Sequence, residues 1–549
     1  MRKLPGLYFF LTLIFLLIIS LVYSWPFFKP GLIVTDDGIW SVVRLAEMVR
    51  ELKDFQIPPR WAGYLNHGYG YPLFSFAYPL PYYLGAFLKF TGLSYVSAVK
   101  FLFIGSTFLS VFFMYLLGST LTGPGGGLTA ALFYLIAPYR LTDLYVRGSL
   151  GESISFLFFP LIFYLTVKIF KESPGFKPIF LSLSLSALML CHNVMAVLFI
   201  PVWLFFVFFL NFSRFGRKEN DKKTSPVIKF LPVQFLKILF LSLSLAAFFI
   251  LPALMEKKFL VLDKIQLAAK SLNFISLINL VTRPQNTVYP FFNLGIPQLT
   301  VAGLSVLALF RMKKDLDHRS FMISVLIILA ALIFLTNNIS SFFWQLPILN
   351  SIDFPWRVMG LVIFMLALLT SFIGSNRNLL AFGLLLAGIG FFRNLSLINP
   401  AGYTKQNDEY YLTNDATTTS KDEFMPIWVT DPPGKRFSEK VSLPENALIS
   451  DLVYNSKTVK FNLLSRQPGR LIINTIYFPG WQATLNGKNT AIIYNNPQGL
   501  ISLDYPSGAS RIEAFFKETP LRKTADVISL LALIYIIFSI MKRVFKYVR

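Results

Sequence analysis

Charge is what this sequence has least of. Asp, Glu, Lys and Arg make up 14% of its 549 residues, against 54% hydrophobic and 16% aromatic, where an ordinary soluble domain is about 25% charged. With a mean hydropathy of +0.58, the chain cannot have water as its main solvent. Cysteine occurs once, as Cys191, which excludes an internal disulfide and leaves the redox compartment open. Histidine occurs three times, as His67, His192 and His318. No two of these stand at ligand spacing, so a three-histidine zinc site is excluded. A Gly-x-x-x-x-Gly-Lys-Ser/Thr loop is absent, and with it the signature of an intrinsic ATP motor.

What the chain does have is apolar runs long enough to cross about 30 Å of hydrocarbon. Hydropathy and polar punctuation predict twelve membrane crossings, at 5–27, 97–118, 124–140, 154–171, 178–192, 193–212, 231–254, 296–310, 321–337, 357–374, 378–393 and 525–541. The first run follows a basic start but ends in Ser24-Trp25-Pro26 with no small-residue cleavage site, and reads as a retained anchor. With both termini cytoplasmic, the basic clusters Arg214, Arg217, Lys218, Lys222 and Lys223, then Arg311, Lys313 and Lys314, then Lys542, Arg543, Lys546 and Arg549 all fall inside. This is the positive-inside pattern, and it accounts for much of the net charge of +23 without a nucleic-acid partner. Residues 76–90 are apolar, but counting them as a crossing would move those basic loops outside, so they are expected as an interfacial helix. The plan is a multi-pass protein of the plasma (cytoplasmic) membrane with a multi-spanning domain over 1–393, an extracytoplasmic β-rich domain over 394–524, and a final membrane helix with a basic tail over 525–549. For the β-rich domain the signals are short alternating runs such as 470–477 and 481–485 and the turn Asn486-Gly487, a strong hairpin signal.

The same topology places four features outside: the loops 28–96, 141–153 and 338–356, and the segment 394–524. Candidate chemistry lies there. Asp36 and Asp37 directly follow the first span; adjacent acids at a membrane boundary suit proton transfer or cation binding, or Asp37 simply caps the next helix. That helix carries Val42, Leu45, Val49 and Leu52 on one face, as an interfacial helix does. Further along the first loop, Trp61, Tyr69 and Tyr71 could stack on sugars or sit in the headgroup belt. In the second loop, Arg147 could hold a phosphate, with Glu152 positioning it, or the two form an ion pair that fixes the loop. His192 and Asn193 stand at an outer bend, and Arg357 heads a span; the three could face one cavity, while Arg357 snorkelling to headgroups is the plainer alternative.

Asp37-Gly38 after the first span, the outer interfacial helix and the Pro- and Tyr-rich second half of that loop resemble the GT-C superfamily of membrane glycosyltransferases. A closer likeness is to bacterial membrane proteins labelled pyruvoyl-tetrahydropterin-synthase-related. It runs through Pro58–Trp61, Gly68–Phe74, Tyr139-Arg140 through Arg147-Gly148 to Glu152, His192-Asn193, Phe354–Arg357, Glu423–Trp428 and Tyr477–Trp481. The label itself implies no activity here, because the synthase it names uses a zinc site this chain cannot assemble. The superfamily resemblance implies a GT-C-like helical fold and a catalytic acid in the first outer loop, matched by Asp37 and less closely by Asp36. The second metal-binding acidic motif of oligosaccharyltransferases has no counterpart, so the metal ligands stay unassigned while a magnesium or manganese ion remains compatible.

The expected activity is transfer of a sugar from a polyprenyl-phosphate-linked donor, itself a membrane lipid, to a glycan, lipid or protein acceptor at the outer face. Asp37, Asp36 and Glu152 are the expected catalytic set, and Arg147, Arg357, His192, Asn193, Trp61, Tyr69 and Tyr71 the expected substrate- and phosphate-binding set. A flippase for lipid-linked glycans would instead need charges at mid-depth, and a non-catalytic envelope scaffold would use the Asp pair only as a cap.

Overall fold

The computed structural model describes residues 5–172, 174–213, 227–282, 292–309, 316–375, 377–395, 397–413, 416–445 and 447–548. The basic clusters at 214–223 and 311–314 lie outside the described residues. Seven helices are long and apolar enough to cross a membrane, or eight if the pair Val233–Leu245 and Ala247–Phe259, bent by 74°, is one span. The chain is thus a multi-pass helical membrane protein, but the expected count of twelve exceeds what helix length supports.

Four of the twelve predicted crossings become helices of 12 to 15 residues: Pro124–Leu135, Lys177–Cys191, Ile296–Leu309 and Met359–Thr370. At about 1.5 Å per residue these reach about 18–23 Å, short of the bilayer core. Proline sets several of the limits. Pro124 and Pro178 begin helices, and Ala137 before Pro138 is extended, which ends the run that started at Pro124. The segment 76–90 is no crossing either: Leu80–Phe90 is an 11-residue helix that packs on Gly38–Lys53, where a side chain at Gly85 would strike Leu45.

At the centre of the bundle stands the 28-residue helix Tyr95–Thr122. Its Gly118 comes so close to Gly127 of the next helix that a Cβ would lie 2.9 Å from the Gly127 Cα, and small residues at a crossing let two backbones pack this tightly.

The C-terminal sheets comprise a five-stranded one ordered β4-β5-β10-β7-β8 and a three-stranded one ordered β3-β6-β9. The strands are β3 Val441–Ser442, β4 Ala447–Asn455, β5 Thr458–Ser465, β6 Gly469–Ile476, β7 Trp481–Leu485, β8 Lys488–Thr490, β9 Leu500–Tyr505 and β10 Gly508–Phe516. All pairings within these two sheets are antiparallel, and β7 and β8 meet at Asn486-Gly487 as the sequence predicts. Alternation along β5, with Val459, Phe461 and Leu463 buried, directs one face into a core that also holds Trp61, Tyr69 and Phe76 from the first loop.

Three ties join the parts. Strand β1, Leu32–Ile33, pairs antiparallel with β2, Tyr403–Thr404. Buried Arg60 donates to Glu518 at 3.2 Å, Asp526 at 2.8 Å and the Phe248 carbonyl at 2.6 Å. The buried Arg522 of the last helix, Pro520–Val548, donates to Glu256 at 2.8 and 3.0 Å.

Candidate functional site

The loop after the first membrane helix and the loop that carries Arg147 meet backbone to backbone. The Asp36 amide donates to the Val146 carbonyl at 3.0 Å and the Asp37 amide to the Arg147 carbonyl at 2.7 Å. Gly148 makes this approach possible: its φ is +63°, and a Cβ there would stand 2.0 Å from Thr35 Oγ1, so no side chain fits. Two acids and one arginine, more than 100 residues apart in sequence, are thereby fixed side by side.

Asp37 occupies the N-cap of Gly38–Lys53, and its carbonyl accepts from the Ser41 amide at 3.0 Å, but its side chain makes no capping hydrogen bond. The half-buried carboxylate lies within electrostatic reach of Arg147, Asp143 and Tyr78. Asp36 is exposed.

Below this pair sits a buried ionic cluster. Arg147 Nη1 donates to Asp143 at 2.9 Å and to Glu152 at 2.6 Å, Tyr139 donates its hydroxyl to the other Glu152 oxygen at 2.6 Å, and Ser153 donates to Asp143. The guanidinium lies 4.5 Å from the centre of the Trp356 ring. Arg147 therefore forms the ion pair, the plainer of its two expected roles, rather than presenting open donors on that nitrogen. Burial works against its charge, but Glu152, Tyr139, Asp143 and Asp37 outweigh it and hold Arg147 firmly cationic. Burial, then Glu152, push Asp143 well above the usual carboxylate range, with Arg147 pulling the other way.

His192 stands beside this cluster. Its Nδ1 accepts from the Met195 amide at 3.2 Å, which leaves the proton on Nε2, and its ring stacks on Tyr78 at 4.9 Å. Arg147 and Arg357 are both within electrostatic reach of it. Arg357 rides on the short turn Pro355–Val358, 5.2 Å from the Phe354 ring, and its buried Nε has no hydrogen-bond partner. Asn193, in contrast, is exposed, and its side-chain oxygen accepts only from the neighbouring Val194 amide.

The three aromatic candidates lie elsewhere. Trp61 is fully buried between Trp481 and Phe516, with no free face for a sugar. Tyr69 packs edge-on against Phe437. Tyr71 is fully buried and its hydroxyl bonds Thr418 at 2.9 Å. All three pack in the seam between the first loop and the later chain, neither open to a sugar on a free face nor set out at a headgroup belt, because aromatics bury large areas and a seam is where this chain has area to bury. Among the described residues no group of three or more His, Cys, Asp or Glu is arranged to hold a metal ion, and Asp143 and Glu152 are occupied by Arg147.

No family model matches the sequence. A protein of Lactococcus lactis subsp. cremoris described as uncharacterized is 25% identical over 250 residues, covering 45% of this chain and 39% of that one. Among solved structures, the arabinofuranosyltransferase AftD from Mycobacteria is similar with a TM-score of 0.46 at 13% identity, over 70% of this chain and 26% of that one. The oligosaccharyltransferase of Archaeoglobus fulgidus has a TM-score of 0.46 at 15% identity, over 78% of this chain and 62% of that one. The chain spans less than two thirds of the length of each of these proteins.

Sequence reasoning assigned no role to Asp143, Tyr78 or Arg44. Asp143 was legible as the i−4 partner of Arg147. Tyr78 was not, since His192, on which its ring stacks, lies far along the chain. Arg44 reads as the polar face of an interfacial helix, yet it donates to Thr418 Oγ1 at 2.9 Å and to the Thr418 carbonyl, 374 residues away.

Proposed function

We propose that this protein is a membrane glycosyltransferase that moves a sugar from a polyprenyl-phosphate-linked donor to an acceptor hydroxyl at the extracytoplasmic face. The observation that carries this reading is the Asp37 carboxylate: it sits at a helix N-cap without capping, clamped by its own amide to the Arg147 carbonyl, beside the buried Arg147–Asp143–Glu152 cluster. A carboxylate spared from structural duty and set at a loop junction suits a general base.

In the proposed step the acceptor hydroxyl gives its proton to Asp37 as its oxygen bonds the anomeric carbon. The bond from that carbon to the phosphate oxygen breaks, and the polyprenyl phosphate leaves with the electron pair. Arg357, whose Nε lacks a protein partner, is the residue assigned to that developing charge. Arg147, neutralised by Asp143 and Glu152 and kept in place by Glu152 with Tyr139, holds the loop to which Asp37 is clamped. Asp36, exposed on the same turn, helps orient the acceptor. His192 offers Nε2–H as a donor to a donor-sugar or phosphate oxygen.

The test is lipid analysis by mass spectrometry of cells that express the chain. Loss of transfer leaves the donor undischarged, so Asp37→Asn should accumulate a polyprenyl-phosphate sugar that wild-type cells turn over. A flippase would be disabled equally by other lesions and spared by this one, so unchanged donor lipid in Asp37→Asn cells refutes the transferase reading.

A further inference from the structure

A concave site lies apart from the Asp37–Arg147–Glu152 cluster. It is a groove of about 690 Å³ between the segment after the first membrane helix, the start of Tyr95–Thr122, and residues 405–407, which follow β2. Three lysines line it, Lys29, Lys100 and Lys405, and no acidic residue does. Among the described residues none of the three forms an ion pair. The nearby acid Asp408 is already engaged, accepting from Lys89 at 2.7 Å and from the Tyr95 amide at 3.0 Å.

The lysines are also spatially ordered. Lys100 is drawn in by a 2.6 Å bond to the Lys29 carbonyl, which leaves two of its three protons for a ligand. Lys29 lies over the Trp25 ring at 4.4 Å, and Lys405 is exposed at the rim. The remaining wall is apolar and open: Phe28 and Phe101 are 62% and 57% exposed, with Ile104 one turn further along the membrane helix.

We propose that this groove binds an anionic glycerophospholipid, its phosphate among Lys29, Lys100 and Lys405 and its first acyl segments against Phe28, Phe101 and Ile104. Charge complementarity selects the phosphate: three cations on a wall that carries no acid, with Asp408 beside it already engaged by Lys89, favour an anion among them. The apolar wall and the volume select a lipid over a free ion, because ligand pockets of 300–1,000 Å³ suit molecules far larger than phosphate. The position fits as well, since lysines where an apolar helix ends stand at headgroup level. The site shares no residue with the Asp37 cluster and does not depend on the catalytic reading.

Native mass spectrometry of the full chain, released from nanodiscs of equal phosphatidylglycerol and phosphatidylcholine, tests the proposal. Wild type should retain phosphatidylglycerol preferentially. Lys100→Gln/Lys405→Gln should lose about fivefold retention for each charge removed, roughly 25-fold in all, with phosphatidylcholine retention unchanged. Lys405→Arg should behave as wild type, and matched size-exclusion and melting profiles show that the variants fold. Millimolar inorganic phosphate should not displace the lipid; if it does, the groove is a soluble-anion site and the lipid assignment falls. Equal retention of both lipids by wild type, or full retention by the double variant, overturns the proposal outright.

Discussion

Asp37 and Arg147 behave differently as single residues although a backbone hydrogen bond joins them. Asp37 contributes nothing through its side chain to capping, so Asp37→Asn should change stability by no more than about 0.5 kcal/mol while transfer falls by about 10²–10⁴-fold, the range for a general base. Thermal unfolding alongside glycan output separates the two effects. Arg147 is shared by two buried carboxyls, and either one suffices to neutralise it. Asp143→Asn and Glu152→Gln should each be tolerated, whereas the double substitution leaves a buried guanidinium without its counter-charge. It should cost about 2 kcal/mol more than the sum of the singles, read as the fall in melting temperature of the detergent-purified chain. Asp143 itself was readable from its spacing to Arg147. Tyr71 and Trp61 were not, because an aromatic beside a membrane helix looks the same whether it faces a sugar or a strand 400 residues later.

Among elements, the sheet domain and the first loop fold onto each other through Lys440. Its ammonium group is buried and donates to the Asn474 carbonyl at 2.8 Å and the Gly68 carbonyl at 3.1 Å. Burial, then Arg436, lower its pKa to about 7 from 10.5. A neutral amine still has the two protons these bonds need. Below pH 7 folded and unfolded states both carry the proton; between about 7 and 10.5 the unfolded chain binds more protons, so stability rises with pH across that window. Unfolding of the chain followed by sheet-domain fluorescence should therefore show higher stability at pH 9 than at pH 7, and Lys440→Met should flatten the difference. The same scale shows why hydropathy read the membrane domain well and its crossings less well. Composition marks every apolar run, but proline and local bends decide where each helix stops, and a 12-residue helix such as Met359–Thr370 has the hydropathy of a span without its length.

For the whole molecule, membrane bundle, first loop, sheet domain and last helix are held together by two buried arginines. Arg522 and Glu256 form a buried pair to which Thr519 also donates, so Arg522→Ala leaves a buried carboxylate short of its counter-charge and should cost about 3–5 kcal/mol, while Arg522→Met/Glu256→Met should recover most of it. Limited proteolysis of the last helix reports the difference. Sequence order anticipated the succession of bundle, β-rich segment and terminal helix. The seam between them was not legible, because Arg60 finds Glu518 and Asp526 only after the chain has folded across more than 450 residues. The folded chain brings Asp37, Arg147, Glu152, Tyr78 and His192 to one place, and the central claim concerns what that place does. The most direct measurement is envelope glycan composition by mass spectrometry in cells carrying wild type, Asp37→Asn or a deletion, at matched membrane levels of protein. The account predicts that Asp37→Asn loses the same glycan as the deletion; a glycan profile that changes only on deletion would contradict it and leave Asp37 a structural residue.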